Sequence, residues 1–131
     1  MKTFTKIVLI FIFLFLIGIS ILEEVITSSS LNLIYNQCFV LEKEIDGRED
    51  IRTSKLCLIV DNMQYDWILN ESKMCYLVNH KSIQEIGTEL AKMKNYLGEN
   101  DIKEFKASLE AIKYYSEGYL HFMGANAHNI L

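Results

Sequence analysis

Residues Ile7 to Leu22 read IVLIFIFLFLIGISIL, sixteen consecutive uncharged and almost wholly apolar residues, with Lys2 and Lys6 before them and Glu23-Glu24 after them. As a helix rising about 1.5 Å per residue, this run spans roughly 24 Å, against about 30 Å for a hydrocarbon core. Counting from Phe4, with the Lys6 stem reaching back to the headgroups, brings the length close to that thickness. An open chain satisfies its own backbone in lipid only as a helix, so a spanning segment here has to be helical. No ionisable residue interrupts the run, which argues against a proton relay or ion pathway inside it.

The flanking charges give an orientation. Two lysines precede the run, and the first lysine after it is Lys43. That asymmetry predicts a single-pass protein of the cell membrane, with its N-terminus cytoplasmic and its C-terminal body outside. A cleaved signal peptide shares the basic-then-apolar layout, and Gly18-Ile19-Ser20 offers a small-x-small triplet inside the run. No Cys stands in a lipobox position. Anchored or secreted after cleavage, the body lies outside the cytoplasm.

Of the 13 Lys and Arg residues two precede the run, so the body sets 11 against 17 Asp and Glu, a formal charge of −6. No basic patch is present to follow a phosphate backbone, which argues against nucleic-acid binding. About 100 residues make one small domain. The chain has no proline and is rich in Leu, Ile, Lys, Glu and Met, a composition that favours helix.

Periodicity resolves four helical stretches after the anchor. Leu31, Ile34, Cys38, Leu41 and Ile45 step by 3 and 4 over about 31–46, with Gly47 at the expected end. Leu56, Val60, Met63, Trp67, Asn70, Met74 and Leu77 keep the rhythm over about 49–78, behind Glu49 and Asp50. Ser82 and Glu85 match a capping box for a helix over 82–97, where Ile83, Ile86, Leu90, Met93 and Leu97 precede Gly98. A fourth, over 101–121, opens at Asp101 with Glu104 and carries Ile102, Phe105, Leu109, Ile112, Tyr115 and Tyr119.

Short connections make neighbouring helices antiparallel. The expected fold is all-α: a single N-terminal transmembrane helix followed by an up-down antiparallel four-helix bundle. The division expected is an anchor over 1–26, the bundle over 27–122 and a tail over 123–131. Ser28-Ser29-Ser30 either loosens the junction of anchor and first bundle helix or lies within one long helix.

The stretch from Leu90 to Leu120, LAKMKNYLGENDIKEFKASLEAIKYYSEGYL, with Trp67 and His80 before it and Asn129-Ile130-Leu131 after it, carries a resemblance. It resembles a bacterial domain-of-unknown-function family of short proteins with an N-terminal membrane helix and a small helical extracytoplasmic body. Met74, in place of a second aromatic, and the three cysteines depart from that pattern. The resemblance implies the anchor and the helical body, and no activity.

Candidate chemistry is sparse. Cys38, Cys57 and Cys75 form no metal-ligand spacing. Cys38 and Cys57 lie nine residues before and ten after Gly47, so a hairpin there sets them level, which would allow a disulfide in an oxidising exterior. Against it, packed helix axes lie about 8–10 Å apart, a disulfide wants Cα atoms within about 6.8 Å, and Cys38 sits on the core stripe. His80, His121 and His128 share no helical spacing and no HExxH motif, so no metal site is expected. The acid pairs Glu85/Glu89 and Glu42/Asp46 read as solvated faces. Asn70-Glu71-Ser72 matches a glycosylation acceptor only formally. No nucleophile elbow, P-loop or dinucleotide fingerprint occurs.

No catalytic, cofactor or metal residue is therefore assigned. The function expected is a non-enzymatic protein–protein interaction module at the outer face of the membrane, touching the bilayer through residues 7–22. Its partner would be a membrane or cell-surface protein, or a second copy of itself. The alternative is an anchored or secreted small-ligand-binding protein, with a pocket between helices near Trp67 and Tyr114, Tyr115 and Tyr119.

Overall fold

The computed structural model describes residues 2–74 and 80–130, with side chains for 2–74 and 81–121. Four helices follow one another: α1 (Lys2–Ile45), α2 (Ser54–Met74), α3 (His80–Glu99) and α4 (Ile102–Ile130). The described residues contain no strand. α1 packs on α2 and α4, and α3 packs on α2 and α4, which closes an all-α, up-down bundle.

The apolar run and the first bundle helix are one element. α1 has 44 residues, roughly 66 Å at about 1.5 Å each. The serines that could have interrupted it are accommodated: Ser28 Oγ donates to the Val25 carbonyl at 3.2 Å and Ser30 Oγ to that of Ile26 at 2.8 Å. Each hydroxyl thereby finds an acceptor inside the helix. Between Phe4 and Leu22 no side chain of α1 is buried, whereas Leu31, Ile34, Cys38, Leu41 and Ile45 form one wall of the core.

The other walls follow the predicted stripes. Leu56, Val60, Met63, Trp67 and Met74 come from α2, Ile83, Ile86, Leu90, Met93 and Leu97 from α3, and Phe105, Leu109 and Ile112 from α4. Asn70 is only half-buried, which relieves the one polar break in the α2 stripe. Leu77 and Cys75 lie outside the described residues, as do the side chains of His80, His128 and the Asn129-Ile130 pair.

Several helix ends differ from expectation, each for a capping reason. α2 starts at Ser54 rather than near Glu49, because Thr53 caps it: its Oγ1 accepts from the Leu56 N–H at 3.3 Å. Glu49 and Asp50 stand in the preceding loop, and Asp50 spends its carboxylate on the Arg52 backbone and guanidinium. Ile51 plugs that loop into the core. α3 starts at His80, so Ser82 lies in its first turn and is not its cap. At the far end α3 runs through Gly98, and the left-handed residue is Asn100, at φ 56°. Asn tolerates that region better than most residues. The Asp101 N–H donates to the Tyr96 carbonyl and the Asn100 N–H to that of Leu97, which completes a Schellman closure. Gly47, at φ 69°, ends α1 as expected. Asp101 caps α4, accepting from the Glu104 N–H at 3.1 Å.

Candidate functional site

Several polar contacts join the helices. Lys113 on α4 is the most connected: its Nζ meets Glu42 of α1 at 2.5 Å and Glu110 at 3.0 Å, and lies 5.0 Å from the centre of the Phe39 ring. The hydrogen bond to Glu42 holds the ammonium above its ordinary range, although burial opposes it. The same ammonium lowers the pKa of Glu110. Gln37 of α1 donates to Asp66 of α2 at 3.1 Å, and Ser108 of α4 to Glu89 of α3 at 3.0 Å. Glu42 and Glu89, expected on solvated faces, are therefore half-buried clamps between helices. The sequence hid this because an amphipathic pattern does not say which flanking acid meets a neighbouring helix.

Cys38 is buried and Cys57 exposed, and both are free. Burial, reinforced by Glu42, pushes the Cys38 thiol up to about 12. The disulfide considered from sequence is not formed, because Leu56, not Cys57, occupies the inward position on α2. His121 is exposed, and the described residues hold no cluster of three or more metal-ligating side chains. Asn70-Glu71-Ser72 lies in the last turns of α2, with Ser72 Oγ bonded to the Leu69 carbonyl.

The aromatic residues do not share one pocket. Tyr115 and Tyr119 are half-buried and Tyr114 exposed, beside a groove of about 510 Å³ between the start of α3 and the later turns of α4. Trp67 stands on another face, lining a groove of about 660 Å³ between α2 and α3 with Gln64, Ile68, Glu71, Gly87 and Leu90. It is only 3 % exposed, and its indole Nε1 has no hydrogen-bond acceptor among the described residues. A Cβ on Gly87 would meet that Nε1 at 3.4 Å and Glu71 Oε1 at 3.9 Å. Gln64 Nε2 donates to the Leu90 carbonyl at 2.9 Å, tying α2 to α3 at the groove edge. The sequence signalled Trp67; nothing in it signalled that Gly87 would face it.

The outer surface is asymmetric. Leu33 and Val40 of α1 and Leu58, Tyr65, Ile68 and Leu69 of α2 are large apolar side chains left exposed. On the described parts of α3 and α4 only Tyr114 is comparable. Apolar residues on both faces of α2 explain why its pattern reads less cleanly than that of α3.

A family profile described as "Domain of unknown function (DUF4363)" matches residues 22–130. The chain belongs to this family. The match begins at Leu22, the last residue of the apolar run, so the DUF4363 unit is the end of that run plus the bundle. No curated protein and no solved structure matches the chain. α1 is the one helix among the described residues long and apolar enough to cross a membrane, a property that signal sequences near an N-terminus share.

Proposed function

We propose that this DUF4363 protein is an uncleaved, membrane-anchored, non-enzymatic module that binds a protein partner at the outer face of the cell membrane. The observation that carries the reading is the joining of the apolar run and the bundle in one helix, α1, together with the exposed large apolar side chains left on α1 and α2. A continuous helix transmits position and orientation from the bilayer to the body. Exposed large apolar residues concentrated on two adjacent helices, Leu33, Phe39 and Val40 of α1 and Leu58, Tyr65 and Leu69 of α2 among them, suit burial against another protein. The excess of lysine before the run supports an N-terminus in the cytoplasm. Photo-crosslinking from position 65 or 69 in intact membranes should recover a discrete adduct, with a partner or with a second copy. A body that stays monomeric and uncrosslinked there contradicts the reading.

A second reading, a ligand-binding protein with its pocket between α2 and α3, is favoured by the orphaned indole N–H of Trp67. Because the chain has a single Trp, a ligand in that groove should change its fluorescence and raise the melting temperature.

A further inference from the structure

We propose that the α2/α3 groove binds a short peptide segment, Trp67 donating its indole N–H to a peptide carbonyl and Glu71 accepting from the peptide N–H. The inference rests on the ligand-binding reading and gives it a ligand class. A buried tryptophan normally finds an acceptor for its N–H, and a buried donor left without one costs about 1–3 kcal/mol. Among the described residues Trp67 lacks such an acceptor, at a position where α3 offers only a glycine. Any larger residue at Gly87 would place atoms at the indole nitrogen; glycine keeps the floor of the groove open there.

The chemistry of the ligand follows from what meets at that point. The Trp67 N–H, a donor, and the Glu71 carboxylate, an acceptor four residues later, both border the Cβ position that Gly87 lacks. An amide presents a matching acceptor and donor. A phosphate or carboxylate would be repelled by Glu71, and an indole N–H cannot ligate a metal. Two neighbouring polar groups are already used: Gln64 Nε2 on the Leu90 carbonyl, and Thr88 Oγ1 on that of Gln84 at 2.9 Å. Ile68, Leu90 and Ala91 give the remaining wall an apolar character. From Gln64 to Glu71 is about 10.5 Å of helix, the length of roughly three extended residues. The indole nitrogen is closed to solvent in this structure, so the inferred contact requires the side chains around it, the half-buried Glu71 among them, to shift as the peptide enters.

The test is NMR of the full chain in detergent micelles, following the single indole N–H resonance during titration with pools of N-acetyl, C-amidated tripeptides. The proposal expects a saturable downfield shift with at least one pool. It expects Gly87→Ala to weaken that titration about tenfold, the cost of losing one well-placed hydrogen bond. It also expects Leu33→Ala, an exposed α1 position outside the groove, to leave the titration unchanged. A pool that raises the melting temperature while leaving the indole resonance unmoved overturns this site but keeps ligand binding elsewhere. No response by either readout overturns both, and unchanged affinity in a folded Gly87→Ala protein overturns the role given to the glycine.

Discussion

Asn100, in the turn between α3 and α4, holds the loop before α2 by accepting from the Ile51 N–H at 2.9 Å through its side-chain oxygen. Its amide nitrogen donates in turn to the Glu49 carbonyl at 3.1 Å. One residue thus ends α3 in the left-handed region and fixes the neighbouring loop, from which Ile51 enters the core. Asn100→Ala should destabilise the protein by about 2–3 kcal/mol, combining the lost hydrogen bonds with the strain of a positive φ. Asn100→Gly should cost about 1 kcal/mol less, because it removes the strain alone. Asn100→Asp keeps the acceptor for Ile51 and should be mildest. Urea unfolding of the full chain in detergent, followed by Trp67 fluorescence, checks the order.

Lys113 supplies a second measurable contribution. Its contacts with Glu42 are partly buried, 16 % and 28 % exposed on the two side chains, so Lys113→Met should cost about 1–2 kcal/mol, between an exposed pair and a buried one.

The pH dependence follows from four shifts, one raised and three lowered. The Lys113 pKa is raised in the folded state, so its contribution is complete below the ordinary lysine value and fades as pH climbs through the folded one. Those of Glu110, Glu44 and Asp50 are lowered, by Lys113, Lys55 and Arg52 respectively. Their contributions are complete above the ordinary carboxylate range and fade as pH falls through the folded values. The melting temperature should therefore be level between about pH 5 and 10 and decline on the acid side. Lys113→Met should make that acid-side decline shallower.

The thiols should separate sharply. With the Cys38 thiol at about 12 and buried, iodoacetamide at pH 8 should modify Cys57 in the native protein and Cys38 only after unfolding. Peptide mapping after mild oxidation should show no Cys38–Cys57 bridge.

The outer α1/α2 face should matter for contact and not for folding. Leu69→Glu places a charge on a side chain already 47 % exposed, so stability should change by no more than about 0.5 kcal/mol. The crosslinked adduct from position 65 should be lost. An adduct of unchanged yield would remove this face from the account.

The fold was legible because it depends on apolar spacing, which the chain states plainly from Leu31 to Ile112. Helix ends were less so. Ser82-Glu85 satisfies a capping pattern, yet the chain enters α3 at His80, while Thr53, with no glutamate three residues on, caps α2. The use of Asn100 was invisible for a different reason: its partners, Ile51 and Glu49, are about fifty residues away in sequence, and local patterns carry no information about them. The groove shares that limit. Trp67 belongs to a stripe that reads as core, and only the meeting of α2 with α3 shows that its nitrogen faces Gly87.

Cys57, exposed on the body, reports directly on whether α1 tethers the bundle at the outer side of the bilayer, as proposed. In cells expressing the Cys75→Ser variant, a membrane-impermeant maleimide should label Cys57 without lysis, and the labelled protein should stay with the membranes after alkaline carbonate extraction. Labelling that appears only once the cells are broken, or release of the protein into the soluble fraction, would contradict it.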